Sequence, residues 1–347
     1  MSEAKQVVQG HDTLVDILDS LGYEDISESA EEYVSRLNSD PPDQSEWFSL
    51  PNGDKVQITK DSVSFLSLFG EDTPIYRLLV LQKSQVIALY VHKRWWSVDE
   101  ALKTNNPTRQ GLIQVQRAGQ RVVLFILNMI IFGSVERAPY QHICFSPHPA
   151  NEYGKISWQD GEAVGFYTFK RKGSLTDSCV SRCYQLPVLD TLFVRKNWRR
   201  KGLALEMLAD FCGTFGKYEV LGISSPISEG MYQVCRKFLT AHPEERDRLY
   251  EVEAPGDWGQ RQNIWLLIQL GSIPSDGSNM PSVSLNPQPN QNIFANETGE
   301  SCSVKISSSV NHLLETEEKF LNKPPDLTIR KRHADSEKVT KKHLKRL

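Results

Sequence analysis

The sequence predicts an α/β protein of the mixed α+β type, with helices on both faces of a mixed sheet. Between Glu162 and Leu270, short β-branched and aromatic runs alternate with amphipathic helical runs, which is typical of strands joined by helical crossovers. From Lys55 onward, β-rich runs separated by Gly, Pro, Asp and Ser indicate further antiparallel strands. The 347 residues, 39% of them hydrophobic, suffice for a sizeable core.

Charge and cysteine content narrow the functional classes. The net charge of −3 does not predict a nucleic-acid binder, although residues 1–60 carry 13 acidic and 4 basic side chains and residues 323–347 carry 9 basic and 3 acidic ones. The six cysteines lack dense spacing, and we find no signal peptide, so we expect reduced thiols in the cytosol or nucleus. No compact ligand spacing predicts a metal site.

Composition divides the chain into four predicted regions. Residues 1–45 form an acidic helical segment, and residues 46–150 form an α+β domain with a long helix from Arg109 to Phe132. The stretch 55–135 is alternatively a degenerate second copy of the C-terminal fold. Residues 151–270 form the main α/β domain. Residues 271–347 are rich in Ser, Pro, Asn and Gly, which predicts a disordered tail with a basic end.

The most apolar stretch, "VVLFILNMIIF", spans Val122–Phe132 and is 11 residues long. A bilayer crossing needs about 20 residues. We therefore predict a buried core helix and no membrane span.

Strands and helices alternate in a definite order after residue 160. The strands "EAVGFYTFKRK" and "CYQLPVLDTLFV" precede a helix from Gly202 to about Phe215. The strand "YEVLGISSP", the helix "SEGMYQVCRKFLTA" and a last strand "NIWLLIQL" follow it.

Five of the seven residues from Arg195 to Lys201 are cationic, and Gly202 follows them. A solvated loop, a nuclear-import or nucleic-acid contact and an anion cradle are three interpretations of this turn. The strand before it and the helix after it favour the cradle, because a helix start offers unpaired N–H groups and partial positive charge. Gly202 permits close backbone approach, and Arg199, Arg200 and Lys201 add charge.

Two common phosphate-binding classes lack their fingerprints here. The turn contains neither G-x-x-x-x-G-K-[ST] nor G-x-G-x-x-G, which argues against a P-loop NTPase and a dinucleotide dehydrogenase.

The stretch Arg199–Ala204, "RRKGLA", resembles the [Q/R]-x-x-G-x-[G/A] loop of the GNAT N-acetyltransferases. The resemblance implies a GNAT-like fold and binding of acetyl-CoA. It implies that Phe193 and Val194 pair with the pantetheine arm, where their strand splays from "EVLGISS". The Arg199 side chain would flank the pyrophosphate. The pyrophosphate would be bound by the backbone amides of Arg200, Lys201, Gly202, Leu203 and Ala204.

The same resemblance leaves the catalytic residues open. The strand glutamate that serves as base in some GNAT enzymes corresponds to Val188, so Asp190, two residues on and on the same strand face, is the candidate base. The tyrosine that often serves as general acid in this family corresponds roughly to Cys235. Tyr232, three residues earlier and on nearly the same helical face, is the candidate acid in its place. The alternative roles are a strand-edge hydrogen bond for Asp190, aromatic packing for Tyr232 and a small buried side chain for Cys235. A catalytically inactive interaction protein that keeps the fold is therefore the second hypothesis.

Three longer stretches, over about residues 10–270, resemble the family that includes the soluble lamin-associated protein, and in particular a shorter member of that family. They are "ILDSLGYEDISESAEEYVSRL", "RLLVLQKSQVIALYVHKRWWSVDEAL" and "VLDTLFVRKNWRRKGLALEMLADF". The resemblance implies the nuclear lamina or another nuclear protein as partner, and a location in the nucleus or cytoplasm or at the nuclear-envelope periphery. In the tail, "RKR" and "KKHLKR" predict a two-part signal for an import receptor, or alternatively a solvated basic end.

Overall fold

The computed structural model describes residues 13–39, 46–50, 52–69, 76–137, 145–176 and 181–271. The predicted tail lies outside the described residues from 272 onward, and so do its two basic clusters.

The acidic N-terminal segment forms helices α1 (Leu14–Leu18) and α2 (Tyr23–Ser39), as the sequence predicts. On α2, Ile26, Ala30 and Tyr33 are buried and lie four and three residues apart, so they share one helix face. This face packs on the β-strands that follow.

The strands after α2 form two antiparallel sheets. A hairpin pairs β1 (Glu46–Ser49) with β2 (Lys55–Ile58). The second sheet has four strands in chain order: β3 (Val63–Ser67), β4 (Arg77–Gln82), β5 (Val86–Val91) and β6 (Arg94–Ser97). The side chains from Leu78 to Leu81 are fully buried, because both faces of this sheet are covered.

A seven-stranded mixed sheet forms the centre of the molecule. The β10–β11 and β11–β12 pairs are parallel and the other neighbours are antiparallel. The strands lie side by side in chain order: β7 (Gly111–Gln114), β8 (Tyr153–Gln159), β9 (Glu162–Lys170), β10 (Val188–Val194), β11 (Leu221–Ser224), β12 (Leu249–Val252) and β13 (Arg261–Asn263).

Helices cover both faces of this sheet, which confirms the predicted fold class. Successive residues of β9 point to opposite faces, so Phe166 packs with α3 (Ala118–Phe125) while Tyr167 packs on the other side. The helices on that other side are α4 (Leu203–Thr214), α5 (Glu229–Ala241) and α6 (Ile264–Gln269).

Two predicted elements differ from the structure. The predicted helix from Arg109 to Phe132 is wrong at its start: Gly111–Gln114 forms β7, paired with β8, and the helix begins at Ala118. The predicted last strand "NIWLLIQL" is instead α6, because the Asn263 side chain accepts the Leu266 N–H at 3.0 Å and caps a helix. A short apolar run does not by itself distinguish a strand from a helix.

The apolar helix is buried, as predicted. Helix α3 continues as a wider π-helical segment, Ile126–Val135, and the whole stretch is long and apolar enough to cross a membrane. Nevertheless, the side chains from Val122 to Leu127 are at most 5% exposed and pack against α1 and the sheets. The length and composition of this helix are therefore explained by the core it fills.

Two helical glycines give a matched test of this packing. An ideal Cβ at Gly119 would lie 2.7 Å from Leu18 Cβ and overlap the Leu18 carbonyl, whereas one at Gly213 in α4 would meet nothing within 4 Å. We expect Gly119→Ala to lower the free energy of unfolding by about 1–3 kcal/mol, because α1 must move. Gly213→Ala should raise it by about 0.5–1 kcal/mol through helix propensity. Urea unfolding measures both, and equal effects would contradict the α1–α3 packing.

Candidate functional site

The central sheet opens between β10 and β11. These parallel strands pair only at Val188↔Gly222 and Leu189↔Ile223, although β10 continues to Val194. Over the same length β10 stays paired with β9 on its other side. Beyond Leu189 the two strands are therefore no longer paired, and we call this unpaired region beside β10, which extends to Val194, the wedge.

A β-bulge lies where this pairing ends. The register between β10 and β9 shifts between Leu189 and Thr191, which makes Asp190 an extra residue on β10, and β11 itself ends at Ser224. A bulge bends its strand and increases the local twist, so β10 changes direction at Asp190.

The basic turn leads from β10 into α4. It contains a 3₁₀ turn at Lys196–Trp198, and Arg200 and Gly202 have left-handed backbone angles with φ of 64° and 90°. Gly202 is the N-cap of α4, no side chain caps this helix, and an ideal Cβ at Gly202 would meet nothing within 4 Å. No acceptor among the described residues takes the N–H groups of residues 200–204. The turn therefore contains a run of unpaired amides, with open space beside Gly202.

The cationic side chains of the turn make different contacts. Arg195 pairs with Glu162 and Asp99 and so anchors the turn to neighbouring elements. Lys201 lies 4.1 Å from the centre of the Trp198 ring. Arg200 is exposed. Of the predicted phosphate ligands, Arg200 and Lys201 thus flank the unpaired amides.

Arg199 is held by the protein itself. Its Nε donates to the Val194 carbonyl at 2.9 Å, and its Nη2 lies 3.4 Å from a carboxylate oxygen of Glu136. The predicted pantetheine contacts are similarly engaged, because the Val194 carbonyl is used by Arg199 and the Phe193 carbonyl lies against Gly165 of β9. The carbonyl groups of both residues are therefore already in contact with other parts of the protein.

Glu136 is a site residue that the sequence analysis missed. It follows the π-helical segment, and its carboxylate accepts the Lys196 N–H at 2.6 Å. Sixty positions separate the two residues, and no sequence signal links them.

Asp190 belongs to a cluster of ionisable side chains at the start of the wedge. Lys170 Nζ lies 2.8 Å from Glu152 Oε2 and 3.9 Å from Asp190 Oδ1. Glu152 Oε1 lies 3.4 Å from Nδ1 of His148 but makes no hydrogen bond. Glu152 is 2% exposed and Asp190 is 24% exposed, so Asp190 is the carboxylate that faces outward.

The two carboxyl groups of this cluster have opposite pKa shifts. Burial alone would raise the pKa of Glu152, but His148 and Lys170 outweigh it and hold the pKa at about 2. Burial and the negative charge of Glu152 raise the pKa of Asp190, and Lys170 offsets this only in part. Asp190 is therefore a stronger base than an ordinary aspartate.

The cluster also has the composition of a metal site. Ligand atoms of His148, Glu152 and Asp190 all lie within 4.8 Å of one another. However, the Lys170 ammonium already lies between the two carboxylates and bonds to Glu152. Burial alone would lower the pKa of Lys170, but Glu152 and Asp190 reverse this and raise it, so Lys170 stays charged and supplies the cation.

Tyr232 is engaged with another carboxylate. Its hydroxyl donates to Glu251 of β12, whose other oxygen accepts from Ser225 Oγ and the Ile227 N–H, each at 3.0 Å. Burial and the Glu251 carboxylate raise the pKa of Tyr232. A phenol held in this way is a weaker acid than an ordinary tyrosine.

Cys235 lies on the buried face of α5, in the core that this helix shares with α4 and the sheet. It is fully buried, and burial, together with the neighbouring Cys212, raises the pKa of its thiol. This position agrees with the alternative interpretation of Cys235 as a small buried side chain.

Together, these features define a mixed α/β protein whose central sheet opens beside a basic, glycine-containing turn. Protein FAM169B of Mus musculus is 47% identical over 264 residues, which are 74% of this chain and 77% of that relative. The chain therefore belongs to the FAM169 family.

Further comparisons add little about chemistry. Protein FAM169BP of Homo sapiens is 48% identical over 132 residues, 38% of this chain and 65% of that relative, so the chain spans just under two thirds of its length. No protein-family model matches the chain.

Among solved structures, an aminoglycoside acetyltransferase from an uncultured soil metagenomic sample, in complex with trehalose, is 14% identical. The match covers 38% of this chain and 88% of that one with a TM-score of 0.27. Its complex with sisomicin is 16% identical over 37% and 86%, with a TM-score of 0.26. These scores are too low to carry an argument.

The opposite pKa shifts of the cluster predict opposite mutational effects. A carboxyl group whose pKa is lowered on folding stabilises the protein above its ordinary pKa, and this contribution is lost as the pH falls through the folded value. Glu152→Gln should therefore lower the free energy of unfolding at pH 7 by about 3 kcal/mol. The difference from the wild type should shrink between pH 4.5 and about 2.

Asp190→Asn should instead raise stability at pH 7, because a carboxylate whose pKa is raised on folding opposes folding once it is ionised. Glu253→Gln, at an exposed position, is the control and should change stability by less than about 0.5 kcal/mol. Thermal melts between pH 2 and 8 measure all three variants. A loss of stability in Asp190→Asn as large as in Glu152→Gln would contradict this assignment of charges.

Proposed function

We propose that this protein binds acetyl-CoA and transfers its acetyl group to an amine. The observation that carries the proposal is the wedge between β10 and β11, which leads directly to the unpaired amides of residues 200–204. A strand pair that separates leaves room for an extended ligand, and a helix start with free N–H groups suits its diphosphate. The open space beside Gly202 leaves room for that group.

Acetyl-CoA supplies an activated acetyl thioester, and the residues of the wedge supply the rest. Asp190 lies at the start of the wedge and is the more exposed of the two carboxylates there. Its raised pKa makes it suited to accept the proton that the amine loses as its nitrogen bonds to the acetyl carbon. The Tyr232 hydroxyl, which already donates to Glu251, would have to change partner to protonate the departing thiolate.

Cofactor binding is tested with two glycines of the same backbone conformation. Gly202 (φ 90°) and Gly173 (φ 87°) both have nothing within 4 Å of an ideal Cβ, so Gly→Glu strains the backbone equally at each. Acetyl-CoA at about 100 times its Kd should stabilise the wild type by about 2.7 kcal/mol. Gly202→Glu should abolish this stabilisation, because it places a carboxylate among the amides, whereas Gly173→Glu should retain it.

A thermal-shift assay with CoA and acetyl-CoA measures these effects. No stabilisation of the wild type, or an equal response from both variants, would count against a cofactor site at this turn.

Turnover is tested separately, by thiol release from acetyl-CoA with lysine peptides or polyamines as acceptors. Asp190→Asn should lower the rate by about 100-fold while the thermal shift with CoA is kept, because the substitution removes the base and leaves the turn intact. An unchanged rate in this variant would remove Asp190 as the base. If the wild type binds acetyl-CoA but shows no turnover, the result would favour the second hypothesis, a catalytically inactive interaction protein that keeps the fold.

A further inference from the structure

The Glu136 carboxylate lies on the basic turn and engages two of its donors. One oxygen accepts the Lys196 N–H at 2.6 Å and lies 3.4 Å from Arg199 Nη2. The side chain is 14% exposed, so it is largely enclosed. The Glu136 N–H bonds to the Ile131 carbonyl at 2.7 Å, and this bond fixes the residue at the end of the π-helical segment.

These contacts are of the kind that a phosphate would make. Phosphates in proteins are held by backbone N–H groups and by guanidinium groups, and a carboxylate uses the same donors with the same sign of charge. Part of the donor set at the turn is therefore satisfied by an anion of the protein itself. The amides of residues 200–204 remain unpaired, because no acceptor in the described part of the chain takes their N–H groups.

We propose that Glu136 competes with the diphosphate for the hydrogen-bond donors of this turn. The Glu136 carboxylate must release the Arg199 Nη2 group and the Lys196 N–H before a ligand is fully bound. The inference rests on the proposed function, because it concerns the same site and adds its regulation. Two anions on one turn repel each other, so binding favours the state in which the Glu136 side chain has swung away.

The surroundings of Glu136 make this release local. Phe132, one helical turn earlier, stacks on Phe193 with ring centres 4.5 Å apart, and this contact holds the π-helical segment against β10. The other nearby arginine, Arg195, is paired with Glu162 and Asp99 and does not depend on Glu136. Loss of the Glu136 charge should therefore free the Nη2 group of Arg199, whose Nε stays bonded to the Val194 carbonyl, without unfolding the turn.

The test is calorimetric titration of the full chain with inorganic pyrophosphate and with CoA. Glu136→Gln keeps the shape of the side chain and removes its charge, and we expect it to bind both ligands about tenfold more tightly than the wild type, which corresponds to one charge-assisted hydrogen bond. Glu136→Ala is the second variant and should act in the same direction. Thermal melts without ligand verify that each variant is folded.

Glu206→Gln is the matched control. It removes a negative charge from the first turn of α4, but Glu206 is exposed and does not contact the donors of the turn, so affinity should change by no more than about threefold. Tighter binding in both Glu136 variants but not in this control supports competition.

Two outcomes overturn the inference. If CoA binds the wild type and the folded Glu136 variants equally, or the variants more weakly, Glu136 is no competitor while the proposed function stands. If neither ligand binds any of the proteins, the inference and the proposed function both fail.

Discussion

Pairing between β10 and β11 ends after two residue pairs, where Asp190 is an extra residue in β10 and β11 itself ends at Ser224. The remaining parts of the site depend on this bulge. It bends β10 at the point where pairing with its parallel neighbour stops, and it places a carboxylate where the wedge begins. Beyond the bulge, β10 keeps its pairing with β9 alone and delivers the chain into the basic turn. A strand with regular pairing on both sides would leave no space next to that turn.

Charge at the two ends of the wedge is balanced in different ways. At the bulge, Lys170 bonds to Glu152 and only approaches Asp190, so one carboxylate is fully compensated and the other only in part. At the turn, Arg195 is fully committed to carboxylates whereas Arg200 is exposed. Each end thus combines an ion pair that maintains the structure with a charged group that is available for a ligand. The charged residues that stabilise the structure are therefore distinct from those whose charge is available to a ligand.

Sequence patterns predicted the parts of the fold that depend on local order. The succession of strand, basic turn, glycine and amphipathic helix predicted β10, the turn and α4. The next helix, α5, was also predicted, and in the structure Ser228 caps it by accepting the Met231 N–H. Predictions were wrong where a short apolar run had no decisive local signal, at Gly111–Gln114 and at Ile264–Gln269. There, pairing with β8 and capping by Asn263 determine the structure.

The site itself was predictable only in part. Asp190 and residues 199–204 could be named because they lie within one segment, but Glu136, His148 and Glu152 come from elements far away in the sequence. His148 and Glu152 are four residues apart, which is the one pattern that hints at their contact. The bulge could not be foreseen, since alternation along a strand assumes that no residue is inserted.

The first residues of the basic turn are held by carboxylates from elsewhere in the chain. Arg195 ties it to Asp99 and Glu162, and Glu136 binds it through the Lys196 amide. A synthetic peptide copying residues 194–208 would carry the same charges but none of these three tethers. It would therefore attract polyanions without discrimination. In the folded chain, the position of the turn is a property of the tertiary structure, and substitutions nearly a hundred positions upstream, such as at Asp99, bear directly on it.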